Sequence, residues 1–235
     1  MGDEILRVKT FFIAAAVLLI LGLSHDRCRA AEGGEPKPVP LPAPARAGKM
    51  PLETALRERR SVRAYGSGPL TIAEVSHLLW AAQGVNRSGG FRTAPSAGAL
   101  YPLELYLAAG EVEGLPAGLY RYLPREHVLL PVGSGDRRSE LCSAALGQEC
   151  LNEGAAVIVL SAVYRRTVRK YGERGVRYVH IEVGGAAQNI YLQAASLGLG
   201  TVFIGAFDDE RVSSILDLPD DEAPLGLMPL GRAGR

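Results

Sequence analysis

Arg59-Arg60-Ser61-Val62-Arg63 sets three guanidinium groups and a hydroxyl within five residues. A phosphate monoester is a dianion, and planar guanidinium forks with a nearby hydroxyl suit it. Charge-assisted hydrogen bonds contribute about 1.5 to 3 kcal/mol each, whereas micromolar affinity needs roughly 8 kcal/mol, so a ligand anchored here must also bury apolar surface. Standing alone, the same run also reads as a solvated basic helix end. Pro95-Ser96-Ala97-Gly98-Ala99 is a second stretch, of small residues that let backbone approach a flat ligand, or else a plain turn capped by the Ser96 hydroxyl. The third is Lys170-Tyr171, followed by Arg174, Arg177 and Tyr178. A lysine crowded by cations can act as a general base and a tyrosine as a proton donor. The alternative is a charged, exposed loop.

Other chemistries lack their residues. No serine sits in a GxSxG elbow, and His25, His77, His127 and His180 have no Ser or Cys partner at a recognisable spacing, which leaves hydrolase chemistry without support. His77 reads as an exposed polar position on a helix. There is no GxxxxGK[ST] phosphate loop, and GLGTVFIG after Leu197 runs from helix to strand, the reverse of a dinucleotide fingerprint. Cys28, Cys142 and Cys150 form no CxxC pair, so no metal site is expected; Cys142 and Cys150 stand as either one disulfide or two buried thiols. With 235 residues, 47% hydrophobic content and a net charge of +1, the chain is not composed like a nucleic-acid binder.

The elements that must position these stretches follow from periodicity. From about Arg177 to Leu197, apolar and small residues recur at three- and four-residue spacings, which predicts a long core helix, stopped by Gly198 and Gly200 and followed by a strand over Thr201 to Ile204. Pro51 to Arg60 reads as a short amphipathic helix. Thr71 with Glu74 forms a capping box for a helix ending near Gly84. Leu103 to Ala108, Gly118 to Tyr122, His127 to Val132 and Leu225 to Leu230 read as strands, and the unbroken apolar run Ala155 to Ala162 as a central one. Asp136 to Gly147 and a segment capped by Asp208 complete the helices. Helices and strands mix without strict alternation, so an α+β domain is expected over 51–235.

Ahead of it, 1–31 has the layout of a secretory signal: Arg7 and Lys9, the apolar run Phe11 to Leu23, then Ala30 and Ala31. The apolar run is short for a membrane span, so a cleaved export signal is the first reading and an uncleaved anchor the second. That places the protein in the periplasm or cell envelope, or in the cytoplasm if the segment is not a working signal. Residues 32–50 carry prolines at 36, 38, 40, 42 and 44 and are expected to form an extended linker.

In order, RRSVRAY, LLWAAQGV, RTAPSAGALYPLELY, GLYRY, KYGERGVRY, GGAAQNIYLQAASLGLG, IGAF and MPLGR resemble the FMN-dependent nitroreductase superfamily, in its SagB-type (thiazoline and oxazoline oxidase-like) branch, across Pro51 to Arg232. The resemblance implies an α+β fold with a central antiparallel sheet flanked by helices, an intertwined homodimer, and FMN at the subunit interface. It implies that Arg59, Arg60, Ser61 and Arg63 hold the FMN phosphate and pyrimidine edge, with Arg232 near the phosphate. Pro95, Ser96 and Ala97 would line the isoalloxazine from the partner subunit. Ile204, Gly205 and Ala206 would face the flavin near N5, and Lys170 and Tyr171 would match the catalytic pair of the azoline-oxidising members. The implied activity is hydride transfer on a small-molecule or peptide substrate; the alternatives are an NAD(P)H-dependent nitro or quinone reductase and a non-catalytic flavin-binding module. The chain departs from classical nitroreductases at Ala99 and Tyr101, where they carry asparagine and glutamine. It departs from its branch at Gly184-Gly185, where Gly-His is common.

Overall fold

The computed structural model of the protein describes residues 37–45 and 47–234. In chain order its elements are β1 (Val39–Pro40), α1 (Leu52–Glu58), β2 (Tyr65–Gly66), β3 (Leu70–Thr71), α2 (Ile72–Gln83), β4 (Val85–Arg87), β5 (Phe91–Arg92), β6 (Leu103–Ala109), β7 (Val112–Glu113), β8 (Gly118–Leu123) and β9 (Val128–Ser134). They continue with α3 (Arg138–Ala144), α4 (Cys150–Glu153), β10 (Ala156–Ala162), α5 (Arg165–Tyr171), α6 (Arg174–Ser196), β11 (Leu199–Thr201), α7 (Asp209–Leu216) and β12 (Ala223–Ala233). The expected signal or anchor at 1–31 and the start of the linker lie outside the described residues.

The apolar run of β10 becomes the middle of an antiparallel sheet ordered β1-β9-β8-β6-β10-β12-β11, with β2 also paired to β12. Every residue of β10 is buried, because both faces of the sheet are covered. Side-chain alternation splits the strand between two cores. Ile158 and Leu160 join Leu78 and Leu79 of α2 and Val179, Ala186 and Ile190 of α6 on one face. Val157 and Val159 join Leu141 of α3, Leu151 of α4 and Val212 of α7 on the other. The α+β expectation with a central antiparallel sheet therefore holds.

Caps and boundaries follow local chemistry with a few shifts. The Thr71–Glu74 capping box forms, and Asp208 caps α7 by accepting the Arg211 amide. The long helix begins at Arg174, before the expected Arg177, and a separate helix, α5, precedes it. Gly172 between them, at φ +58°, reverses the chain. Lys170 and Tyr171 thus end a helix and do not lie in a loop. The strand after Gly198 is β11, which takes in Leu199 and Gly200, and beyond it Ile204 meets Leu227 as an isolated bridge.

The extended linker expected over 32–50 is corrected from Val39 on. Val39 and Pro40 pair with Leu129 and Val128 at the sheet edge, where a missing proline N–H costs no ladder bond. Leu41 is buried, the Pro42 carbonyl accepts the Ser76 hydroxyl, and the Ala45 amide donates to His77 Nε2 at 2.7 Å. His77 therefore fastens this strap and is not a free polar position. His127 does have a serine partner, Ser76 at 2.8 Å, but Ser76 is fully buried and serves the strap. Cys142 and Cys150 are buried free thiols. Among the described residues no helix is long and apolar enough to cross a membrane.

Candidate active site

Val62 and Tyr65 lock the arginine-rich segment onto the sheet edge. The Val62 amide donates to the Thr201 carbonyl at 2.8 Å. The Tyr65 hydroxyl donates to the Val62 and Pro229 carbonyls, and burial pushes its acidity far below that of a free phenol. Val62 lies so close to β11 that a Cβ on Gly200 would come within 2.6 Å of it, which is why glycine stands there. The segment then presents its polar side chains outward. Arg57, Arg59 and Arg60 line a cavity of about 550 Å³ with Tyr191, Ala194 and Ala195 of α6 and with the chain at Gly198–Leu199.

Tyr191 ties this corner together. Its hydroxyl lies 3.1 Å from Ser61 Oγ and accepts the Phe203 amide at 2.7 Å, and its ring lies under the Arg59 guanidinium, 5.2 Å from centroid to Cζ. One phenol thus couples the arginine segment to the loop that continues through Ile204, Gly205 and Ala206. Ile204 is buried in the core, while Gly205 and Ala206 are exposed. Among the described residues Arg59, Arg60 and Arg63 enter no ion pair. Arg59 and Arg60, with the Ser61 hydroxyl just outside the cavity and small apolar residues as its floor, suit a phosphate-bearing flat ligand such as FMN, and the Glu58 carboxylate, which pairs with Arg57, lines the cavity beside them.

Two residues expected here are placed elsewhere. Arg232 Nη1 and Nη2 grip Glu74 at 2.5 and 3.0 Å, and Nη2 also donates to the Pro69 carbonyl at 2.7 Å. Burial pushes the Glu74 carboxyl up, but the Arg232 fork and the Thr71 bonds outweigh it and hold the group below its usual range. The guanidinium is therefore spent on the cap of α2 and not offered to a phosphate. Arg63 is exposed and does not line the cavity.

The second group of residues gathers at the Pro95–Tyr101 turn. Gly98, Ala99 and Tyr101 have φ of +64°, +54° and +48°, so two of three residues in the left-handed region are not glycine. Such strain persists only where the surroundings fix it. Ser96 Oγ accepts the Tyr101 amide at 2.9 Å, and the Tyr101 hydroxyl accepts the Arg92 amide at 3.2 Å. The Arg92 guanidinium stacks on the Tyr101 ring at 4.6 Å. Arg166 of α5 donates to the Tyr101 carbonyl at 3.0 Å and pairs with buried Glu104 at 2.5 Å.

Through Arg166 the same helix is clamped to the turn, and its last residues close over it. A Cβ on Gly98 would lie 2.7 Å from the Tyr171 hydroxyl and 2.9 Å from Lys170 Nζ, so both polar tips converge on one point of backbone. The Tyr171 ring is braced edge-on by Tyr178, with centroids 5.1 Å apart, and Lys170 Nζ lies 5.4 Å from its centroid. Lys170, Tyr171, Ser96 and the backbone of Pro95 to Ala99 thus form one surface. That surface and the arginine cavity are separate within the chain: the cavity is lined by none of Pro95 to Ala99, Lys170 or Tyr171.

Tyr191, Arg92, Arg166 and Glu104 were given no role by sequence, and Tyr101 was marked only as a departure from classical nitroreductases. Tyr191 falls on the core periodicity of α6, and only the polar corner around it reveals its second use.

The sequence profile of the Nitroreductase family matches residues 56–232. A provisionally named nitroreductase of Methanocaldococcus jannaschii is 50% identical over 184 residues, spanning 78% of this chain and 92% of that protein. The microcin B17-processing protein McbC of Escherichia coli is 32% identical over 132 residues, 54% of this chain, and the match spans 48% of McbC. Among solved structures, a provisionally named nitroreductase of Ralstonia eutropha superposes with a TM-score of 0.74 at 34% identity, covering 87% of this chain and 97% of that one. A chain of the Escherichia coli microcin synthetase McbBCD complex, solved with truncated pro-MccB17 bound, superposes with a TM-score of 0.65 at 26% identity, covering 91% and 82%.

Proposed function

The chain belongs to the nitroreductase family, and from that premise we propose that this oxidoreductase is an FMN-dependent dehydrogenase of the SagB type. The observation that carries the reading is the convergence of Lys170 Nζ and the Tyr171 hydroxyl on Gly98 of the strained turn. Arg59 and Arg60 would hold the phosphate end of FMN, with Ser61 beside the cavity, and the apolar floor at Ala194 and Ala195 would supply burial that phosphate contacts alone do not. Bound FMN supplies two-electron chemistry at N5. When a substrate bond to hydrogen is oxidised, one proton must also leave. Lys170 Nζ accepts it, and Tyr171 orients the substrate or returns a proton in the opposite direction.

A second copy of the chain completes the site. The arginine cavity and the Lys170–Tyr171 surface are separate within one chain, so a homodimer would bring the turn of one copy to the arginines of the other. A small molecule or a modified peptide fits the open Lys170–Tyr171 surface, and the McbBCD likeness favours the peptide. If residues 1–31 work as the expected export signal, this activity belongs to the cell envelope, and otherwise to the cytoplasm.

The test separates binding from turnover. Lys170→Ala is expected to take up FMN like the wild type and to lose about 10² to 10⁴ in turnover on a substrate of the enzyme, the usual contribution of a positioned base. Full turnover by Lys170→Ala would remove the role given to the pair.

A further inference from the structure

Among the described residues the side-chain hydrogen bonds and ion pairs of α5 come from Arg165 and Arg166, at its start, and none from Lys170 or Tyr171, at its end. The two polar tips that converge on Gly98 are thus carried there by the helix and are not themselves tied down. Their placement depends on what sets the helix against the turn.

Arg165 does not do it. It pairs with Asp221 at 2.5 Å, just before β12, and both side chains are exposed. Arg166 reaches the sheet and the turn together: Nη1 donates to the Tyr101 carbonyl at 3.0 Å, and Nη2 pairs with Glu104 Oε1 at 2.5 Å. Glu104 is the second residue of β6, is only 8% exposed, and is held at its other oxygen by Arg121 of β8 at 3.0 Å. The anchor is therefore a carboxylate already fixed in the sheet. A planar guanidinium fork makes two such contacts at once, in a geometry that a point donor does not impose. Arg166 and Lys170 are four residues apart, so they share one face of the helix, a single turn from each other. The face that is fastened is the face that carries the amine.

We propose that Arg166 is the positioning residue of the Lys170–Tyr171 pair: by bridging Glu104 in β6 and the Tyr101 carbonyl in the left-handed turn, it fixes the distance from the pair to Gly98. The role rests on the reading of that surface as the reacting one, and Arg166 acts through Lys170 and Tyr171. Removing its guanidinium leaves Glu104 paired with Arg121, so no buried carboxylate is orphaned and the sheet is left intact.

Lysine stands only at 9, 37, 49 and 170, so Lys170 can be followed in the purified protein by lysine-selective isotope labelling. A Cβ on Gly98 would lie 3.6 Å from Lys170 Cδ, and the wild type should show a nuclear Overhauser cross-peak between the Lys170 δ protons and a Gly98 α proton. Arg166→Met should lose it. Arg165→Met, which removes an arginine–carboxylate pair from the same helix without touching the turn, should keep it. A cross-peak that survives in Arg166→Met, or one lost in both variants, would overturn the proposal. A wild type without the cross-peak would take down the Lys170–Tyr171 surface and this role together. If Arg166→Met does not fold, the wild-type guanidinium decides: with its terminal nitrogens on different partners it should give separate Nη resonances, and a single averaged one ends the role. None of these readouts requires flavin, so a chain that takes up no FMN would end the functional reading while leaving this one to its own result.

Discussion

The buried carboxyl of Glu182 gives the fold a pH response of its own. Burial pushes Glu182 up to about 7 from 4.5, against the smaller opposing effects of Ser96, Arg92 and Gln83. The folded state thus prefers the protonated acid more than the unfolded chain does. The stabilisation is fully present below about pH 4.5 and is lost as pH rises through about 7, amounting to about 3 kcal/mol for this shift. Urea unfolding at pH 5 and pH 8 should show the wild type losing most of that amount and Glu182→Gln losing little of it. Equal slopes in the two proteins would mean that Glu182 ionises in the folded state as it does in water. At this scale the sequence was informative where a site is contiguous. Arg59-Arg60-Ser61, Pro95-Ser96-Ala97 and Lys170-Tyr171 could be proposed from sequence because each is a contiguous run. Tyr191 could not, because helical spacing makes it look like one more position on a core helix, and its polar partners, Ser61 and the Phe203 amide, arrive from loops elsewhere in the chain. Arg232 shows the converse: a residue of the right type in the right motif, whose guanidinium is taken by Glu74.

Among the elements, the tightest fit lies between the arginine segment and β11. Gly200 leaves space for Val62, and a methyl group there would come 2.6 Å from Val62 Cγ1 and 2.9 Å from its Cβ, with no flexible side-chain end to yield. Gly200→Ala should therefore push the segment carrying Arg59, Arg60 and Ser61 off the sheet edge, at about 1 to 3 kcal/mol of stability, the usual cost of overpacking. Paired urea and FMN titrations should show both stability and flavin affinity falling. Lost stability with intact affinity would mean that the segment binds nothing. The core elements were readable because burial on both sides of β10 forces an unbroken apolar run and α6 repeats at helical spacing. The strap was not. Alternating prolines specify an extended chain but not whether it finds a partner, and the sheet edge, His77 and Ser76 that hold it are invisible from the strap itself. The break between α5 and α6 was missed for a related reason: Gly172 falls among charged residues that read as an exposed loop ahead of the apolar helical repeat.

For the whole molecule, the fold presents two separate surfaces, the arginine-lined cavity proposed to take a phosphate and the Lys170–Tyr171 surface proposed to handle a proton, on a sheet whose antiparallel order and flanking helices match the nitroreductase family. Nothing in length, charge or periodicity could have said that the halves are separated within one chain, since that depends on which residues α6 turns to each side. The central claim is that the protein binds FMN between two copies and cycles it. An anaerobic absorbance spectrum of the purified protein, taken with FMN bound and then with NADH or NADPH added, tests it most directly. A dimer with a yellow flavin spectrum, bleached by substrate and left unchanged by nicotinamide, is the expected result. Bleaching by nicotinamide alone would make it a nicotinamide-fed reductase instead, and a colourless protein that takes up no FMN would contradict the account.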